Sequence, residues 1–186
     1  MALFPGLPDT PHLGDVFKKF PDMVGPILEY HELLLRGESP LTIGERELIA
    51  AYVSGLNACT FCFGSHKIIA SKFGISETMI DALVSDIDSA PVDEKLKPIL
   101  HYVRKLTHLP ARLVEADAAA VFATGWSERA LYDAIQICAI FNFMNRIIEG
   151  TGITFDYAQN PEIADELRNR KDHSYAGFGK RLKDEG

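Results

Sequence analysis

Only three cysteines occur among the 186 residues: Cys59, Cys62 and Cys138. So few, in odd number, exclude a disulfide framework, and a chain of this length buries roughly 70% of its unfolded surface, enough to fold as one domain on packing alone. Clustered basic residues are also missing. Lys and Arg number 19 against 26 Asp and Glu, a net charge of -7, which leaves no electrostatic footprint for nucleic acid or an acidic membrane. No stretch approaches 18 uncharged apolar residues, and the opening MALFPGLPDTPHLGD has neither a basic region nor a long apolar core. Neither a membrane span nor a secretory signal is therefore expected, and the chain reads as cytoplasmic. Runs of β-branched residues alternating with polar ones are absent too, which leaves no strands for a sheet.

What remains is helical patterning. Pro5, Pro8, Pro11 and Pro21, with Gly6 and Gly14, predict an arm over 1–21 holding at most one helical turn around Val16 to Phe20. Ile27, Leu28, His31, Leu34 and Leu35 recur at helical spacing before Gly37, giving a helix near 22–36. Thr42 with Glu45 is a capping box for a second helix from Ile43 to Ser54, broken at Gly55 and Asn57. Asn57 then caps a third, which carries both cysteines of the CxxC pair and ends at Gly74. Further helices are expected from Ser76 to Val84, over 93–107, over 112–124, from Glu128 to Glu149 behind a Ser127 cap, and over 161–170. One all-α domain over 22–170 would thus lie between the arm and a tail over 171–186, a loose end or second arm. Sliding Glu45 by 83 positions onto Glu128 aligns Glu45-Arg46, Leu48 and Ala51 with Glu128-Arg129, Leu131 and Ala134, an internal repeat in which Cys59, Cys62 and His66 fall on Asn142, Asn145 and Glu149.

The chemistry concentrates in one helix. Cys59, Cys62 and His66 stand at i, i+3 and i+7, within about 60° of one face, and Cα atoms three apart on a helix are about 5 Å from each other, inside the range a disulfide tolerates. In a reducing compartment such a pair suggests redox or metal chemistry. A reactive thiol needs help to ionise: a cap at Asn57 would place Cys59 in the first helical turn, where the dipole favours a thiolate, and His66 is one turn beyond Cys62 for proton exchange. Zinc would need two more ligands, and Cys138 sits in an apolar run with no Cys or His at ligand spacing. Glu47 lies on the preceding helix, where an antiparallel return would carry its carboxylate toward Cys59 and His66; the plainer role is a first-turn acid complementing the dipole, which for Glu45 the capping box favours.

The stretch ERELIAAYVSGLNACTFCFGSHKIIASKFGI, Glu45 to Ile75, resembles the core of the alkylhydroperoxidase D and carboxymuconolactone decarboxylase superfamily, in its peroxidase-related branch. The family pattern of a Glu, eleven residues, CxxC, three residues and a His is filled by Glu47, Cys59, Cys62 and His66, and the likeness extends to FNFMNRIIEGTGI at 141–153. The resemblance implies an all-α alkylhydroperoxidase D-like fold with repeated helical hairpins, assembled as homotrimers or hexamers. It implies a thiol peroxidase acting on hydrogen peroxide or organic hydroperoxides in antioxidant defence, with no cofactor. By the same carry-over Cys62 attacks the peroxide, Cys59 resolves the sulfenic acid to a disulfide, and His66 with Glu47 forms the proton relay. The reductant would be a dihydrolipoyl or thioredoxin-like protein, or a small thiol. Decarboxylase members lack the cysteine pair, so that activity is not implied. Where the alkylhydroperoxidase D type has a histidine just before the second Cys, this chain has Phe61, which motivates a rival reading as a non-enzymatic redox sensor or thiol-disulfide interaction protein.

Other residues are open between two roles. Asn142, Asn145 and Arg146 either line the pocket opposite the cysteines or serve as structural hydrogen-bond partners. Phe61, Phe63, Phe141 and Phe143 read as core or subunit interface, with a pocket wall as the lesser alternative. His101 and Tyr102 read as packed residues of an amphipathic helix.

Overall fold

The computed structural model describes residues 3–184, which contain ten α-helices and no strand, so the all-α class is what forms. Residues 1–2 of the expected arm and 185–186 of the expected tail lie outside the described residues. The arm is more helical than its prolines suggest: α1 spans Leu13–Lys19, because His12 caps it. Its Nδ1 accepts the Gly14 N–H at 3.3 Å while the Asp15 carboxylate accepts the His12 N–H at 2.8 Å, a capping box built on histidine.

A 3₁₀ turn at Pro21–Met23 leads into α2, Val24–Arg36, which buries Leu28, His31, Leu34 and Leu35. The central helix α3, Ile43–Leu56, starts at the expected Thr42 and Glu45 box and is buried at Gly44 and continuously from Arg46 to Ser54. It does not break at Gly55. A Cβ there would come within 2.7 Å of Val84 and 3.2 Å of Phe63, so this glycine is kept for close packing and not for a turn. Helix α4, Thr60–Lys72, folds back against α3 across residues 57–59, and α5, Glu77–Ser85, follows.

Helices α6, Lys97–His108, and α7, Glu115–Ala123, lead to α8, Glu128–Thr151, capped by Ser127 and ended by Gly152 at φ +78. The segment aligned with Glu45 at the 83-residue offset is thus one continuous helix, so the likeness covers α3 and the first half of α8 but not the turn between α3 and α4. Helix α9 spans Pro161–Asn169. The expected loose tail is instead α10, Tyr175–Asp184, whose Tyr175, Phe178 and Leu182 recur at i, i+3 and i+7 and pack on the core beside α2 and α1. The Glu32 carboxylate on α2 accepts the Tyr175 and Ala176 N–H groups at 2.7 and 3.2 Å, capping α10 from a neighbouring helix. No helix among the described residues is long and apolar enough to cross a membrane.

Candidate active site

The turn between α3 and α4 decides where the sulfurs stand. Asn57 closes α3 and does not cap α4; Ala58 takes the left-handed φ of 55°, and Cys59 is the N-cap residue, its N–H held by the Ser54 carbonyl at 2.9 Å. Cys62 therefore occupies the first turn that the sequence reading gave to Cys59. Both are free, buried thiols within hydrogen-bonding reach of each other.

The helix N-terminus does not win at Cys62. The neighbouring Cys59 sulfur and burial push its thiol up, with the Glu149 charge adding to them, against a hydrogen bond from Asn145 that favours the thiolate. Cys62 therefore rests as a thiol. Asn145 is aimed at that sulfur by a buried network: its Oδ1 accepts from Asn57 at 2.9 Å and its Nδ2 donates to Ser54 Oγ at 3.1 Å, while Ser54 in turn donates to the Ala50 carbonyl. Asn142 accepts from Asn57 and from Arg146 at 3.1 and 3.0 Å, so these two brace the network. Asn145 was left open by the sequence, although the offset of 83 pairs it with Cys62.

Behind the cysteines lies an ionic chain. Glu47, wholly buried, accepts a hydrogen bond from His66 Nδ1 at 2.6 Å and holds Arg36 Nη1 at 2.5 Å from its other oxygen. Burial opposes the charge, but His66 and Arg36 outweigh it and hold the carboxyl below its usual range. An ionised carboxylate only accepts, so Nδ1 carries a proton and donates it, which fixes the orientation of the ring. Glu45 keeps the capping role, its carboxylate on the Thr42 N–H at 2.7 Å. Two neighbouring acids thus divide between cap and buried ion pair.

Cys62 and His66 open onto a cavity of about 320 Å³ whose wall is mostly apolar and aromatic, with Phe61, Phe141, Met144 and Tyr157 among its lining residues. Phe61 is a wall residue, against His12 at 5.0 Å and Tyr157 at 5.8 Å between ring centroids, whereas Phe63 is half-buried at the core and Phe143 is exposed. His12 and His31 also line the cavity; the first arrived through the α1 cap and the second through the buried face of α2, and neither carried a motif. Burial lowers His31 to about 4, so its ring is neutral and Nδ1 donates to the Ile27 carbonyl at 2.7 Å. His101, read as packed, is exposed and meets Asp88 at 2.9 Å. Among the described residues no group of three or more His, Cys, Asp or Glu side chains is gathered to hold a metal ion.

Two free thiols thus stand beside a buried carboxylate and imidazole on an all-helical scaffold. Residues 21–97 match the carboxymuconolactone decarboxylase family, a span that contains Glu47, Cys59, Cys62 and His66. The match is confined to that segment, and with the helices around it the chain forms the alkylhydroperoxidase AhpD-like fold. An uncharacterized peroxidase-related protein from Silicibacter sp. TM1040 is similar at 27% identity over 74% of this chain and 73% of its own, with a TM-score of 0.68. An uncharacterized peroxidase-related protein with an alkylhydroperoxidase AhpD core, from Ralstonia eutropha JMP134, aligns at 23% identity over 83% and 77% with a TM-score of 0.73. A protein of unknown function from Agrobacterium tumefaciens, named for AhpD-type antioxidant defence, aligns at 21% over 74% and 92% with a TM-score of 0.62. No curated protein matches the chain.

Proposed function

We propose that the protein is a thiol-dependent peroxidase that reduces hydroperoxides through Cys62 and Cys59. The observation that carries this reading is the Cys62 thiol on the wall of a cavity it shares with His66, with Cys59 in reach behind it and Glu47 fixing the imidazole. His66 Nε2 takes the Cys62 proton; the thiolate bonds to the terminal peroxide oxygen, the O–O bond breaks, and the departing alkoxide recovers the proton as an alcohol. Cys59 then displaces the hydroxyl of the sulfenic acid as water, leaving a disulfide that an external dithiol reduces. An apolar cavity of about 320 Å³ favours organic hydroperoxides over hydrogen peroxide, which needs far less room. Because both sulfurs are buried, a slim dithiol such as a dihydrolipoyl arm or a small thiol reaches them more readily than a thioredoxin-like face.

The α8 stripe of Tyr132, Ala139 and Phe143 leaves apolar surface outside, which favours the homotrimer or hexamer that the family likeness implies; sedimentation equilibrium tests it. Steady-state consumption of cumene hydroperoxide with a panel of dithiol donors tests the reaction, and no turnover with any donor removes it. One observation favours the redox-sensor alternative, the upward-shifted Cys62 thiol. A sensor forms the Cys59 to Cys62 disulfide slowly and changes partners or assembly, whereas a peroxidase cycles repeatedly at low peroxide.

A further inference from the structure

Apart from Glu47 Oε1, which is ion-paired with Arg36, the buried side-chain nitrogens and oxygens that lack a hydrogen-bond partner among the described residues belong to three residues: Arg36, His173 and Tyr175. Buried polar groups are otherwise satisfied in folded proteins, and a cluster of exceptions marks a place where something polar binds. His173 and Tyr175 are part of the wall of the cavity that Cys62 and His66 line, and Arg36 reaches that wall through the His173 carbonyl. The two wall residues belong to the C-terminal segment, outside the span matched to the family and in the part of the chain expected to be a loose tail.

That segment is held in place. Arg36 donates from Nη2 to the His173 carbonyl at 3.0 Å while its Nη1 pairs with Glu47, and its guanidinium lies 5.3 Å from the Tyr175 ring centroid. Glu32 secures the Tyr175 N–H. The Tyr175 ring packs on His31 at 5.0 Å, which meets Phe141 at 5.8 Å, which meets His66 at 4.5 Å. A phenol on the wall of the cavity that Cys62 lines, its ring packed and its buried O–H unpartnered, has the attributes of a preorganised donor.

Resting on the peroxidase reading above, we propose that Tyr175 is a further catalytic residue, whose O–H donates to the leaving oxygen of a bound hydroperoxide as Cys62 attacks the other. Sulfur is oxidised by two electrons as its bond to the terminal oxygen forms; the O–O bond is reduced, its electron pair going to the alkoxide oxygen. The proton that neutralises that oxygen is the one His66 removed from Cys62, and the phenol keeps its own. Burial, and then the Glu47 charge, raise the Tyr175 hydroxyl well above its ordinary value, so it remains a donor throughout the neutral range.

Tyr175→Phe retains the ring and its packing and removes one atom. The rate of Cys62 sulfenic acid formation with cumene hydroperoxide should fall about 10²-fold, the scale of losing one oxyanion donor. Iodoacetamide alkylation of Cys62 needs no such donor and should keep its rate. The melting temperature should hold or rise, because an unpartnered buried hydroxyl has been deleted. A variant as fast as wild type toward peroxide, or one whose alkylation slows in parallel, overturns the assignment while leaving the peroxidase reading intact. A wild-type protein inert toward every hydroperoxide overturns that reading and this assignment together.

Discussion

Glu47 is a charge with no solvent around it, kept ionised by Arg36 on one oxygen and His66 on the other. Its substitution by Gln therefore does two things. It removes the carboxylate that orients His66, which should slow sulfenic acid formation by about 10² to 10⁴. It also leaves Arg36 as an uncompensated buried cation, which should cost about 3–5 kcal/mol of stability, measurable by urea unfolding. Adding Arg36→Met should recover part of that stability and none of the rate. His66→Gln is the cleaner probe of the relay, and the double variant with Glu47→Gln should be little slower than either alone, because the two act as a unit. Cys62→Ser should abolish peroxide consumption, whereas Cys59→Ser should leave one turnover and a sulfenic acid detectable on Cys62 by mass spectrometry.

Helices place these residues through two local devices that intrinsic propensity does not describe. Gly55 is interior to α3, where Ala is worth about 1 kcal/mol more than Gly, yet a Cβ at that position collides with Val84 and Phe63. Gly55→Ala should consequently destabilise, by about 1–2 kcal/mol in urea unfolding, the reverse of the propensity scale. The second device is the carboxylate of Glu32 on the first turn of α10. Its replacement by Ala should cost about 1–2 kcal/mol of helix docking, seen as faster amide exchange across 175–184 with the protection of α3 and α8 unchanged. Because Tyr175 rides on that helix, peroxide reactivity should decline with it.

At the scale of the whole molecule, the buried titratable groups bound the pH range of stability. His31 is neutral in the fold with its value lowered from 6.5 to about 4, so the unfolded chain binds more protons between those limits. Stability is then fully present above pH 6.5 and lost as pH falls toward 4, by about 3 kcal/mol at most. His31→Phe should flatten that limb of a urea-midpoint profile. Glu47 contributes in the same direction but deeper in acid, below its ordinary 4.5. The raised Cys62 thiol acts at the other end: the fold keeps that proton longer than the unfolded chain, so stability declines as pH climbs past 9.0.

The sequence by itself determined the helices between the two terminal segments and singled out the residues of the cysteine pair. Helical periodicity and the Thr42 and Ser127 caps are local signals, each read within one or two turns, and the spacing of Cys59, Cys62 and His66 is a property of a single helix. Tertiary structure alone decided the rest, because it depends on contacts between residues far apart in the chain. Only the packing of α4 on α3 shows Glu47 against His66, 19 positions away, and only the positive φ at Ala58 hands the first turn of α4 to Cys62. Asn145 reaches Ser54 across 91 positions, and Tyr175 comes to the cavity because Glu32, 143 positions earlier, caps its helix. A polar residue in an apolar helix looks the same in sequence whether it braces a sulfur or merely satisfies a neighbour; the partner, which only the fold supplies, makes the difference.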